Sequence, residues 1–171
     1  MSESRTPIRW DEYFMSIAIL VSMRSKDPSS QVGAVLVRDN KVIGTGYNGF
    51  PTGCDEAQFS WDREVDELGW INTKYPYVIH AEANALLNSV ADPKGCDLYV
   101  TLHPCNECAK LLIQGGIKKV TFLEDKYPDV ETFVAAKKLL GVTGIAMEHL
   151  SADRINLMSV SENFKSNSQK T

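Results

Sequence analysis

Two short motifs set potential metal ligands at the starts of two helices, and no other feature limits the fold of this 171-residue chain as strongly. The first is H-A-E, residues 80–82. It opens the stretch A-E-A-N-A-L-L-N-S-V (81–90), rich in strong helix formers. The second is P-C-N-E-C, residues 104–108. It follows the β-prone D-L-Y-V-T-L (97–102) and opens C-N-E-C-A-K-L-L-I-Q (105–114), predicted as a helix that ends at Gly115-Gly116. Proline suits the entry to that helix. A chain with this layout must bring two helix N-termini together if its ligands are to meet.

Cys105 and Cys108 by themselves leave the chemistry open. A helix N-terminus lowers the pKa of a thiol placed on it, and thiolate serves both zinc binding and dithiol redox chemistry. The upstream motif separates the two. If the helices are neighbours, His80, Cys105 and Cys108 converge on one ion. Three nitrogen and sulfur ligands leave the fourth tetrahedral position open, as in catalytic zinc sites. Glu82, two residues after His80, then faces the open side without binding the ion. H-x-E followed by P-C-x-x-C is a known signature of zinc-dependent nucleobase deaminases, and it occurs here whole. A closed structural site would need a fourth ligand from Cys54, Cys96, His103 or His149. His103, across Pro104 from Cys105, is read as a polar residue at the mouth of the site. Cys54 and Cys96 are read as free thiols, with a second metal site near the long central loop left open, and His149 as a surface residue.

The remaining pattern predicts the frame around these motifs. Phe14, Ile17, Ala18 and Val21 recur at helical spacing, so residues 10–24 read as a helix with Asp11 and Glu12 in its first turn. S-K-D-P-S-S is a turn. Q-V-G-A-V-L-V-R and K-V-I-G-T-G-Y-N read as two strands joined at D-N. Residues 49–79 lack periodicity, a length that points to function, with a short helix expected around 60–68. After the motifs come a strand at 118–123, a helix at 130–140 ended by Gly141, and a strand at 142–147. The expected fold is α/β, three-layered α/β/α with a mixed five-stranded sheet. The domain is expected over 8–150, with a C-terminal tail over 151–171 that is polar from about 161. Trp61, Trp70, Tyr75 and Tyr77 read as core or subunit contacts.

Charge narrows the partners. With 18 basic and 22 acidic residues the net charge is -4, and no basic run exceeds a pair of lysines. A protein gripping a polynucleotide backbone needs a denser positive footprint, whereas a small phosphorylated molecule does not. No stretch is long and apolar enough to span a membrane, and the N-terminus lacks the apolar core of a signal peptide. Four unevenly spaced cysteines fit a reducing compartment, so a cytoplasmic location is expected. The glycines after residue 43 are not a phosphate-binding P-loop, because no G-K-[ST] ends them.

The chain resembles the deoxycytidylate (dCMP) deaminase family of the cytidine deaminase superfamily. The resemblance rests on R-S-K-D-P-S-S-Q-V-G-A, G-Y-N-G-F-P-T-G-C, T-K-Y-P-Y-V-I-H-A-E-A-N-A, P-C-N-E-C-A-K and D-K-Y, covering roughly residues 12–130. It implies zinc-dependent hydrolysis of dCMP to dUMP and ammonia, supplying dUMP for thymidylate synthesis. It implies that Asn48 contacts the sugar, that the backbone of Ala81 lies against the pyrimidine, and that Tyr127 is an aromatic near the base. Arg24, Ser25 and Lys26 belong to a stretch near the nucleotide sites. Many members are hexamers, activated by dCTP and inhibited by dTTP, with Mg2+ accompanying the triphosphate. The loop containing Gly46, Tyr47, Asn48 and Gly49 is the expected contributor to such a regulatory site. Glu82 is expected to carry a proton from water to N3 of the ring and then to the leaving amine. The rival readings are a deaminase editing tRNA adenosine or polynucleotide cytosine, a deaminase of free cytidine or deoxycytidine, and a non-catalytic zinc-stabilised interaction module. Glu82 has no role in the last of these.

Overall fold

The computed structural model describes residues 6–65, 67 and 69–155. Four helices, α1 (Trp10–Ser22), α2 (Ala81–Leu87), α3 (Asn106–Gln114) and α4 (Glu131–Val142), surround one sheet. The sheet comprises β1 (Gly33–Arg38), β2 (Lys41–Tyr47), β3 (Asp97–Leu102), β4 (Lys119–Glu124) and β5 (Ala146–His149), in the order β2-β1-β3-β4-β5. The β2-β1-β3 half is antiparallel and the β3-β4-β5 half parallel, so the expected mixed five-stranded sheet is present. Asp39 and Asn40, both with positive φ (52° and 57°), close the β1–β2 hairpin in the left-handed geometry that matches strand twist.

Alternation along the strands builds a core on each face of the sheet. Ala34, Leu36, Leu98, Val100, Val120 and Phe122 face α2 and α3, whereas Val35, Val37 and Tyr99 face α1. Covering on both sides explains why β1 reads as the nearly unbroken apolar run A-V-L-V. The α4 helix packs Ala136 and Leu140 against Ala109 of α3. The layers are therefore α1, the sheet, and the remaining helices, as the α/β/α expectation requires.

Two boundaries differ from expectation for one reason. Gly141 does not end α4, which runs on to Val142. Gly144 instead takes the left-handed position (φ 73°), and the amides of Gly144 and Ile145 bond back to the carbonyls of Gly141 and Leu140. That is a Schellman close, with Ile145 packed on the cluster of Ala109, Ala136 and Leu140. It consumes residues 142–144, so β5 begins at Ala146 and not at 142. The α3 helix closes in the same way at Gly116 (φ 72°), as its Gly115-Gly116 pair predicts.

Among the described residues of 60–68 there is no helix. The Ser60 hydroxyl bonds the backbone N–H and the carboxylate of Asp62, a local turn that competes with helix. The Trp61 ring is held 4.3 Å from that of Phe50. The described residues of 49–79 thus form a loop around Phe50, Phe59, Trp61 and Tyr77, which includes the 3-10 turns Glu56–Gln58 and Trp70–Asn72. A Gly49–Ile79 bridge closes its ends just before His80. The part of the tail read as polar from about 161 lies outside the described residues. Before it, Arg154 pairs with Asp11 and Glu12 of α1 at 3.1 and 3.2 Å. Among the described residues no helix is long and apolar enough to cross a membrane.

Candidate active site

The parallel half of a sheet delivers helix starts to the carboxyl ends of its strands, where ligands bind in α/β folds. The α3 helix starts there, after β3. The α2 helix reaches the same place because two glycines of β2 let it lie almost on the strand. A Cβ on Gly46 would stand 2.2 Å from the Ala81 carbonyl oxygen and 2.2 Å from the Ala85 nitrogen, and one on Gly44 would stand 2.6 Å from the Ala85 oxygen. This close approach sets the N-terminus of α2 beside that of α3.

The two helix starts are built alike. His80 is the N-cap of α2 and Cys105 the N-cap of α3, both with extended backbone, and neither side chain caps its own helix. They face each other instead. His80 Nδ1 lies 3.4 Å from Cys105 Sγ and 3.4 Å from Cys108 Sγ. All three ligand atoms lie within 4.8 Å of one another. A tetrahedral zinc with bonds of ~2.0 Å to nitrogen and ~2.3 Å to sulfur requires nitrogen–sulfur separations of about 3.5 Å. The two nitrogen–sulfur separations therefore match those of a tetrahedral zinc site. Among the described residues this is the cluster of metal-binding type, and Cys54 and Cys96 are free thiols away from it.

The electrostatics of the cluster favour a cation. Hydrogen bonds from Cys108 and then from His80 pull Cys105 down to about 4, so it is a thiolate. Its hydrogen bond to His80 pushes the imidazole up to about 9, and its hydrogen bond with Cys108 keeps that second, buried thiol well above its ordinary value. A divalent ion takes the place of the protons held on His80 and Cys108. Glu82, in the first turn of α2, is 4% exposed. Burial raises its carboxyl above the ordinary value, while the charge on His80 opposes the shift. A buried carboxyl with a raised pKa holds a proton more readily than an ordinary one, which suits it to accept and return one.

These groups form one wall of a cavity of about 840 Å³, within the range of small-molecule sites. The cavity collects Asn48, His80, Ala81, Glu82, Cys105, Cys108 and Tyr127 from the residues singled out in the sequence. His103 lines it too, with its Nδ1 2.9 Å from the Pro104 carbonyl and its ring edge-on to Phe122, turned to those partners and outside the ligand set. Arg24, Ser25 and Lys26 do not line it. Arg24 and Lys26 are exposed, Lys26 pairs with Glu56 at 2.9 Å, and the buried Ser25 hydroxyl donates to the Asn48 carbonyl at 2.8 Å. Of the loop 46–49, Gly46 lies beneath α2, the Tyr47 carbonyl accepts a hydrogen bond from Asn84, and Gly49 pairs with Ile79. His149 is exposed and stacks on Phe122.

Asn48 is more constrained than a turn residue. Its amide donates to Asp27 Oδ2 (3.2 Å) and to the Ser30 carbonyl (2.9 Å), and its Oδ1 accepts from the Val32 N–H (2.8 Å). Both donors are spent. The second lone pair of Oδ1 remains, and it suits a hydroxyl donor on a ligand. Asp27 itself was not foreseen as a site residue. Its carboxylate accepts from the Ser29 and Ser30 amides and is paired with Lys74 at 2.5 Å, both side chains buried and both lining the cavity. Arg63 is a further lining residue the motifs do not flag. Asp27 before Pro28 reads locally as a turn former, and Lys74 and Arg63 are lone charges in an aperiodic loop, so only the tertiary pairing marks them.

Over residues 8–124 the chain matches the family described as the cytidine and deoxycytidylate deaminase zinc-binding region. It is 54% identical over 140 residues to the deoxycytidylate deaminase of Mus musculus, covering 81% of this chain and 78% of that protein. With the deoxycytidylate deaminase of Homo sapiens the identity is 51% over 140 residues, with coverage of 81% and 78%. Among solved structures, the dCMP deaminase of cyanophage S-TIM5 in complex with dCMP and dUMP aligns with a TM-score of 0.65 at 29% identity. It covers 85% of this chain and 100% of that one.

Proposed function

The chain belongs to the cytidine and deoxycytidylate deaminase family, and from that premise we propose that it hydrolyses the 4-amino group of dCMP, giving dUMP and ammonia. The observation that carries the reading is the convergence of His80, Cys105 and Cys108 within 4.8 Å, with the buried Glu82 beside them on one cavity wall. A zinc ion held by the three residues supplies Lewis-acid activation of the attacking water. Glu82 accepts the water's proton and delivers it to N3 of the cytosine, which makes C4 more electrophilic. The same carboxyl, now ionised again, takes the proton of the hydroxyl added at C4 and passes it to the departing amine, so the C4–N bond breaks as the C4 carbonyl forms and ammonia leaves. Ala81, fully buried at the first position of α2, offers its backbone to the pyrimidine, and Tyr127 flanks the base. Asn48 accepts a hydrogen bond from a sugar hydroxyl with its remaining lone pair.

The same reading extends to regulation. The enzyme is activated by dCTP and inhibited by dTTP, with Mg2+ accompanying the triphosphate, and it works in the cytoplasm as a homo-oligomer, a hexamer, supplying dUMP for thymidylate synthesis. In support, Arg24 and Lys26 stand on an exposed edge outside the substrate cavity, Lys26 paired with Glu56. The Ser25 hydroxyl ties that edge to the Gly46, Tyr47, Asn48, Gly49 segment, and Asn48 faces the cavity.

The test is to incubate zinc-loaded protein with dCMP, CMP, deoxycytidine, dCTP and an RNA, each with and without added dCTP. The cytosine-to-uracil absorbance change is followed, and the RNA products are analysed separately. Turnover dominated by dCMP, with a sigmoidal rate curve made hyperbolic by dCTP, is expected. Dominant turnover of RNA or of the free nucleoside would overturn the substrate assignment, and a hyperbolic curve unchanged by dCTP would overturn the regulatory one.

A further inference from the structure

A nucleoside monophosphate brings close to two negative charges into the cavity at neutral pH. The cavity wall carries carboxylates at Asp27, Glu82 and Glu107, so a cation must answer the phosphate. Two long-chain cations line it, Lys74 and Arg63. Lys74 is already committed: it lies 2.5 Å from Asp27, and both side chains are out of solvent. Drawing Lys74 toward a phosphate would strand the Asp27 carboxylate and loosen the hydrogen bonds it makes with Asn48 and the 29–30 turn.

Arg63 is differently placed. It is exposed, on the long loop, and among the described residues no carboxylate lies within 4.0 Å of its guanidinium. Its Nε–H donates to the Tyr75 hydroxyl at 3.1 Å, which fixes the plane of the group. Tyr75 and Tyr127 line the same cavity, so the group sits on a wall shared by the long loop and the β4–α4 loop. A guanidinium oriented through Nε presents its terminal N–H groups as a fork that matches two phosphate oxygens. Lys126, the other cation near Tyr127 (5.9 Å from its ring), is not among the residues lining the cavity.

We propose that Arg63 grips the 5′-phosphate of the substrate and sets the preference for a nucleoside monophosphate over the free nucleoside. This assignment rests on the reading of the cavity as a dCMP site. The experiment compares kcat/KM for dCMP and for deoxycytidine in the zinc-loaded wild type, Arg63→Gln, Arg63→Lys and Lys126→Met, with zinc content measured for each. In Arg63→Gln, kcat/KM for dCMP should fall about 100-fold, mainly through KM, as expected for loss of one partner of a charged pair. Its deoxycytidine activity should fall far less, Arg63→Lys should recover part of the loss, and Lys126→Met should resemble wild type. An unchanged dCMP-to-deoxycytidine ratio in Arg63→Gln, an equal loss on both substrates, or the same loss in Lys126→Met would each overturn the assignment while leaving dCMP turnover by the wild type intact. A wild type that does not deaminate dCMP would overturn the reading of the cavity itself.

Discussion

Replacing Gly46 with Ala adds a single methyl group, and it should disable the enzyme. The added Cβ would stand 2.2 Å from both the Ala81 oxygen and the Ala85 nitrogen, atoms of the α2 backbone that no rotamer change can move aside. Ordinary contact begins near ~3.5 Å, so α2 must shift by about 1 Å. Overpacking of this kind costs roughly 1–3 kcal/mol of stability. The functional loss should be larger in proportion, because His80 and Glu82 ride on the end of α2 that shifts. A displacement of about 1 Å in a catalytic constellation costs on the order of 100-fold in rate. The backbone of Gly46 is not in the left-handed region, so the effect is steric and not a matter of φ. Gly49→Ala is the control, since its added Cβ would meet nothing within 4 Å. Urea unfolding, zinc content and kcat/KM on dCMP are measured for both variants. Gly46→Ala with stability within about 0.5 kcal/mol of wild type and undiminished turnover would refute the claim that helix–strand contact positions the site.

Glu82→Gln should keep its zinc and lose roughly 100- to 10,000-fold in kcat; metal analysis beside the dCMP assay checks this, and normal turnover contradicts the proton-carrier role. Cys105→Ala and Cys108→Ala should each lose zinc, and dialysis of the wild type against a chelator should abolish activity that added zinc restores. Lys74→Met leaves the Asp27 carboxylate buried and unpaired, so stability should drop by about 3–5 kcal/mol; the double variant Asp27→Asn, Lys74→Met should regain most of it in the same urea titration.

What was readable in advance followed the range of the interactions. The D-N hairpin and the Gly-Gly end of α3 are decided by backbone preferences over a few residues, and both stand where the pattern puts them. The α4–β5 junction was misplaced because two glycines, at 141 and 144, each offered a stop. The one chosen is the one that lets Ile145 pack on the cluster of Ala109, Ala136 and Leu140. The helix expected in 60–68 yielded to an aromatic cluster that draws Trp61 onto Phe50. Propensity carries no information about such a partner.

The candidate site divides in the same way. The H-x-E and P-C-x-x-C signature named His80, Glu82, Cys105 and Cys108, because each half holds its residues at a fixed offset on one helix start. That local chemistry is determined by the sequence by itself. Only the tertiary structure decided that the two helix starts meet, since this depends on two glycines in a strand more than thirty positions before α2's first turn ends. Only the fold, too, paired Asp27 with Lys74, 47 positions apart, and set Arg63 at the cavity wall. An isolated charge in a loop has no partner until the chain closes on itself. Its cost or its use is then set by burial and by the nearest opposite charge, neither of which is written in the neighbouring residues.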